Sequence, residues 1–203
     1  MESSKDIIIF VLGPPGSGKG TNCERVTKML KPSRCFYRHL SVGDYLRKLS
    51  NPNTPCDAAD LDRGMIRDFL GDNKLLPADV IIPLLKHKMD STPTEKGYTT
   101  IWLIDGFPRN METALAFEEK IGKPAKVIAL DCRREKAQDR YTNRRRETMD
   151  DKERFHKRYY EYLGNMAAIH KYYDNILVSI CVDGDEEESL SQFMAAVPPA
   201  SDN

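Results

Sequence analysis

The sequence predicts a doubly wound α/β fold, a five-stranded parallel sheet with helices on both faces. Three observations predict it. Five short apolar runs alternate with longer segments of helical spacing, as repeated βαβ units require. The first run opens directly into a glycine-rich loop and then a helix. The length, 203 residues, suits one domain with a substantial core and requires no second.

In chain order, the first strand is residues 7–12, Ile-Ile-Ile-Phe-Val-Leu. The helix behind the glycine loop places Cys23, Val26, Met29 and Leu30 at helical spacing, and Lys31-Pro32-Ser33 breaks the chain. Residues 35–39 read as a second strand, 42–49 as a helix capped by Ser41, and 51–55 as a loop. Helical stretches over 59–70 and 78–89 are separated by Gly71-Asp72-Asn73-Lys74. Residues 100–104 form a buried strand ending at Asp105-Gly106. A helix over 111–121 leads through Gly122-Lys123-Pro124 to a strand at 126–130. Charged helices at 134–145 and 152–173 precede a last strand, 176–182, and a last helix, 187–197. The tail, 198–203, is expected to be disordered. In such a fold ligands bind at the carboxyl ends of the strands, and every informative motif falls at one of those ends.

Composition excludes several classes. Thirty-one basic residues balance 31 acidic ones, so no global field steers the chain to nucleic acid or an anionic membrane. The five cysteines, Cys23, Cys35, Cys56, Cys132 and Cys181, are odd in number, scattered and never in a Cys-x-x-Cys pair. That argues for a reducing compartment, without a zinc site or disulfide framework. The first residues lack the basic start of a signal peptide, and the apolar run after them is too short to span a bilayer. A soluble cytoplasmic protein is expected, compatible with nuclear presence.

The chain is organised around Gly13-Pro14-Pro15-Gly16-Ser17-Gly18-Lys19-Gly20-Thr21. Strand, glycine loop and helix together make a phosphate cradle. The glycines let backbone N–H groups turn inward on an anion, the helix adds unpaired N–H groups, and Lys19 adds a point charge. Asp105, ending a buried strand beside that loop, is placed to hold the water shell of Mg²⁺, and Arg109 to clamp a phosphate bidentately. On the helix over 134–145, Arg140 and Arg144 are four apart and share a face. Phosphoryl transfer needs such convergence, because the moving group carries negative charge on three oxygens and the acceptor phosphate repels it.

The form Gly-x-x-Gly-x-Gly-Lys-Gly-Thr, with Gly20 between Lys19 and Thr21, resembles the adenylate kinase-like nucleoside monophosphate kinases. So does Asp105-Gly106-Phe107-Pro108-Arg109, and so does Ser41-Val42-Gly43-Asp44-Tyr45-Leu46-Arg47. The resemblance covers essentially the whole chain in order. It implies ATP and Mg²⁺, with Gly16, Ser17, Gly18, Lys19, Gly20 and Thr21 on the donor phosphates and Arg140, Arg144 and the Gly184 backbone completing the ATP site. Arg47 and Arg109 would hold the acceptor phosphate, with Ser41, Val42, Gly106, Phe107 and Thr113 around the acceptor. Lys74, Leu75 and Leu76 would run along its base. Thr21, Asp44 and Asp105 would face Mg²⁺ through water.

The resemblance also implies a mobile acceptor-binding segment, about 41–76, and a short lid, about 143–153. Arg158 fits the arginine opening the long helix after the lid. The lid arginine before Asp150-Asp151 is Arg145 or Arg146, in a loop shortened relative to the usual pattern. Lys19, Arg109, Arg140, Arg144, Arg146 and Arg158 form the implied catalytic set. Val42 and Asn110 resemble the branch acting on UMP and CMP. Thr113 stands where the adenylate branch has Gln and the animal pyrimidine branch Asn, so either a water or a neighbouring group completes the reading of the base or selectivity is relaxed. AMP is the alternative acceptor. A GTP-dependent switch would need Asn-Lys-x-Asp, which Asn73-Lys74-Leu75-Leu76 fails. A nucleotide-binding protein without catalysis stays open. All motifs of one complete site lie in one chain, so a monomer is expected.

Overall fold

The computed structural model describes residues 6–30, 34–55, 62–94, 97–143 and 152–198. Cys56, Arg144, Arg145, Arg146, Asp150 and Asp151 lie outside the described residues, as does the tail beyond Pro198. The strands are β1 (Ile7–Leu12), β2 (Cys35–Ser41), β3 (Thr99–Asp105), β4 (Lys126–Asp131) and β5 (Leu177–Cys181). They form one sheet in the order β2-β3-β1-β4-β5, and every pair is parallel. The doubly wound architecture expected from the sequence is present.

Eight helices accompany the sheet among the described residues: α1 (Lys19–Met29), α2 (Val42–Ser50), α3 (Arg63–Gly71), α4 (Ala78–Asp90), α5 (Met111–Lys120), α6 (Arg134–Asn143), α7 (Lys152–Tyr172) and α8 (Glu186–Ala196). Local chemistry sets their starts. Asp62, Asn110 and Asp185 accept backbone N–H bonds at the heads of α3, α5 and α8, each satisfying a donor that the helix leaves unpaired. At the end of α7 the structure differs from the expected strand over 176–182. Asp174–Ile176 make a single 3-10 turn, in which Ile176 N donates to Tyr173 O at 2.9 Å, and β5 begins one residue later.

The period-two alternation of a strand divides the core. Ile8, Phe10 and Leu12 face one side of the sheet, where they join Leu46, Leu85, Phe117 and Ile169 from α2, α4, α5 and α7. Ile9 and Val11 face the other, with Cys23 and Val26 of α1 and Leu190 and Phe193 of α8. Burial on both faces explains why β1 is apolar without interruption. Phe10 makes edge-to-face contacts with Phe107, Phe117 and Tyr173 at centroid distances of 5.7, 5.1 and 5.9 Å. Each such pair contributes about 0.5–1.5 kcal/mol beyond area burial, and together they seat Phe107, two residues before Arg109.

The strand order reverses its direction of growth at β1, whose neighbours are β3 and β4. In open sheets the ligand crevice lies beyond the carboxyl ends at such a switch point. Register brings the motifs to that edge, because Asp105 pairs with Val11 on one side and Ser41 on the other. Among the described residues no helix is long and apolar enough to cross a membrane.

Candidate active site

The glycine loop leaves β1 at Leu12 and ends as α1 begins at Lys19. Gly16 adopts φ 83°, and a Cβ there would lie 1.9 Å from the carbonyl oxygen of Ala137 on α6. Only glycine permits both the left-handed backbone and that approach. Gly18, the N-cap of α1, is also left-handed at φ 88°. The loop presents the open N-terminus of α1 to the crevice, an arrangement that favours an anion. Lys19 Nζ donates to Gly13 O at 2.8 Å and Pro14 O at 2.9 Å. The ammonium is therefore held over the loop.

Two cavities meet at this edge. The first, about 330 Å³, is lined by residues 16–21 of the loop and by Arg25, Asp105, Arg140 and Val182. The second, about 310 Å³, is lined by Val42, Leu46, Leu70, Leu75, Leu76, Ile81 and Phe107, together with Asn73, Lys74, Thr113 and Arg154. Gly43, Arg47, Gly106, Arg109, Arg158 and Glu161 line both. Three arginines thus stand at the junction of the glycine-loop cavity with a largely apolar one.

Different elements carry these arginines. Arg47, on α2, is held by Asp44 at 2.5 Å. Asp44 is fixed in turn by Ser41, whose hydroxyl donates to its carboxylate at 2.7 Å. Arg109 follows β3 and donates from Nε to Gly106 O at 3.1 Å. Its burial, reinforced by the positive charge of Arg158, lowers its pKa to about 10, so it is still a cation at neutral pH. Arg158, on α7, donates to the Tyr141 hydroxyl at 3.4 Å and lies 5.6 Å over that ring. Tyr141 is fully buried against Phe155, which gives the guanidinium a rigid support.

Glu161 is the acidic side chain at the junction, one turn beyond Arg158. Burial raises its carboxyl pKa, opposed by Arg109, Arg158 and Lys157. It is not among the sequence candidates, and neither are Tyr141, Asn73 or Arg154. The only sequence signal for Glu161 is its helical spacing from Arg158.

Asp105 and Thr21 line the first cavity with hard oxygen atoms, the ligand type suited to an ion that keeps several waters. Asp105 is nearly buried, and His39 Nε2 lies 3.4 Å from its Oδ2. These residues fit Mg²⁺. Asp44 lines neither cavity and is engaged with Arg47 and Ser41. Arg140 lines the first cavity and donates to Val182 O at 3.2 Å. At the expected adenine contact the cavity wall is Val182, whereas Gly184 does not line the cavity. The Gly184 carbonyl accepts from Lys136 Nζ at 3.1 Å, which ties that turn to α6.

Thr113 lines the second cavity, but its hydroxyl donates to Asn110 Oδ1 at 2.7 Å. That bond engages the hydroxyl with the helix cap, and the oxygen keeps a lone pair with which to accept from a ligand.

A family model described as adenylate kinase matches residues 11–178 of the chain. A probable UMP-CMP kinase 2 of Arabidopsis thaliana is 37% identical over 145 residues, which cover 71% of this chain and half of that protein. The UMP-CMP kinase of Rattus norvegicus is 31% identical over 179 residues, 85% of this chain and 86% of the relative. Adenylate kinase isoenzyme 5 of Homo sapiens is 31% identical over 196 residues, 94% of this chain and 32% of the relative.

Proposed function

Because the chain belongs to the adenylate kinase family, we propose that it transfers the γ-phosphoryl group of Mg²⁺-ATP to the phosphate of UMP or CMP, giving ADP and UDP or CDP. The observation that carries this reading is the pair of cavities joined by Arg47, Arg109 and Arg158. The cavity at the glycine loop, lined by Lys19, Arg25 and Arg140, suits a triphosphate, the more apolar one suits a base, and the cations stand where two phosphates would meet.

The chemistry follows from positioning and charge. Loop N–H groups, the α1 N-terminus and Lys19 hold the β- and γ-phosphates. Arg47, Arg109 and Arg158 bind the acceptor phosphate in line with them and offset the repulsion between two anions. Arg140, and in this reading Arg144 and Arg146, add charge to the moving group. The acceptor oxygen is already ionised, so no general base is required. A bound Mg²⁺, held through water by Thr21 and Asp105, would supply charge neutralisation between donor phosphates. Closing of a short lid over about 143–153 would exclude water, with about 41–76 as the moving acceptor segment.

AMP is the second acceptor reading, supported by the 31% identity to an adenylate kinase isoenzyme. A complete set of motifs in one chain supports action as a monomer, which sedimentation tests by finding a species of one chain's mass. Among the described residues Cys23, Cys132 and Cys181 form no disulfide, which suits a reducing compartment such as the cytoplasm. The functional test is ADP formation from Mg²⁺-ATP with UMP, CMP, AMP, GMP and dUMP supplied separately, beside a control without acceptor. Saturable transfer fastest to UMP and CMP supports the proposal. Preference for AMP selects the second reading, and ATP consumption independent of every acceptor refutes both.

A further inference from the structure

Asn73 is the one non-glycine residue with positive φ among the described residues, at 55°. It sits in the turn between α3 and α4, half-buried in the wall of the second cavity. Asparagine tolerates this backbone better than most residues. The turn is fastened from α7, 81 residues away along the chain. Arg154 Nε donates to Asn73 Oδ1 at 2.9 Å, and its Nη2 donates to Leu70 O at 3.3 Å. Lys157 Nζ donates to Asp72 O at 2.9 Å. A guanidinium N–H can only donate, so the carboxamide oxygen must face Arg154. The sense of the amide is thereby fixed, with Nδ2, a two-hydrogen donor, as its remaining polar group.

Asn73 and Arg154 line the second cavity and not the first. Arg154 stands one turn before Arg158 on α7, about 6 Å along the helix axis. A monophosphate whose phosphate lies on Arg158 at the junction therefore has its base toward Asn73, among Leu70, Leu76 and Phe107. Uracil and cytosine both carry a ring carbonyl, whereas adenine has none and offers an exocyclic amine.

Resting on the kinase reading above, we propose that Asn73, oriented by Arg154, donates a hydrogen bond to a ring carbonyl of the acceptor base and sets the preference for pyrimidine over adenine. Thr113 is engaged with Asn110, and Asn73 offers an amide donor in the wall of the same cavity. Arg154 acts as a positioning residue. Lys157 holds the same turn without lining the cavity, so it separates a specificity role from simple bracing.

The test compares wild type with Asn73→Asp, Asn73→Gly and Lys157→Ala. Both Asn73 substitutions suit the left-handed backbone. Asn73→Asp keeps an oxygen for Arg154 but replaces the donor with an acceptor, and Asn73→Gly removes the carboxamide. The readouts are kcat/KM for UMP, CMP and AMP at saturating Mg²⁺-ATP and, in parallel, calorimetric affinity for the same three monophosphates. Asn73→Asp is expected to lower the UMP-to-AMP ratio about ten-fold or more, the scale of one lost hydrogen bond with an acceptor now facing an acceptor. Asn73→Gly is expected to weaken UMP and CMP without strengthening AMP. Lys157→Ala is expected to move all three alike.

An unchanged UMP-to-AMP ratio in both Asn73 variants overturns the inference. So does a shift of that ratio in Lys157→Ala as large as in Asn73→Asp. Absence of turnover in wild type counts against the kinase reading alone, since the affinity ratios carry the same comparison without transfer.

Discussion

Gly16→Ala tests how closely the phosphate loop is set against the helix carrying Arg140. A methyl group at Gly16 would lie 1.9 Å from the Ala137 carbonyl oxygen and 2.8 Å from the carbonyl carbon. Both are backbone atoms, so no side-chain rotation relieves the contact. A tolerable carbon-to-oxygen separation is about 3.3 Å, so loop and α6 must part by roughly 1.4 Å. Left-handed backbone in a residue with Cβ adds about 1–2 kcal/mol. Arg140 lies one turn beyond Ala137 and moves with α6, while the loop N–H groups move the other way. A misplacement of about 1 Å can lower a rate about 100-fold. The expected result is a fall in kcat/KM of about 100-fold or more in a coupled ADP assay. A loss of about 1–3 kcal/mol of stability in thermal melts should accompany it. Gly164→Ala is the control: Gly164 lies in α7, and a methyl group there would meet nothing within 4 Å, so alanine should be neutral or stabilise by about 0.5–1 kcal/mol. Transfer by Gly16→Ala within a few-fold of wild type would refute the claim that this contact sets the donor site.

Arg109→Lys should keep a positive charge but lose the planar fork. Its acceptor KM should rise and kcat/KM fall about 100-fold, consistent with the loss of a bidentate charge-assisted contact, while equilibrium dialysis finds ATP affinity changed less than about three-fold. Phe10→Ala removes the ring on which Phe107, Phe117 and Tyr173 converge and should destabilise by about 3–5 kcal/mol, read by denaturant titration. His170 has a buried Nε2 without a hydrogen-bond partner, and burial lowers its pKa from 6.5. The unfolded chain therefore binds the proton more readily, and this group makes stability rise with pH through the region just below 6.5 and level off above it. His170→Gln should flatten that part of the stability profile, whereas an identical slope in the variant would remove His170 as the cause.

The parts of the site that the sequence revealed are those whose chemistry is contiguous. The residues from Gly13 to Thr21 carry their glycines, lysine and strand-to-helix context in one short stretch. Asp105 and Arg109 were visible because a fully apolar strand delivers them to the sheet edge. Asn73 and Arg154 were not, because their contact joins a turn to a helix 81 residues later, and α7 reads locally as a charged, solvated helix. Glu161 was hidden for the same reason, since its environment depends on Arg109 from another element. Tyr141 looked like one more polar position in an arginine-rich helix, yet it is fully buried and supports Arg158. In the stretch from Val182 to Gly184, matched as a whole to the nucleotide, Val182 lines the first cavity and the Gly184 carbonyl accepts from Lys136 on α6.

The most direct measurement follows the phosphoryl group itself, using ATP labelled at the γ-phosphate, Mg²⁺ and UMP or CMP, with products separated by chromatography. The account predicts label in UDP or CDP in one-to-one proportion with ADP formed, little label in inorganic phosphate, and loss of nearly all transfer in a folded Lys19→Ala variant. Label released only as inorganic phosphate, or transfer undiminished in Lys19→Ala, would contradict it.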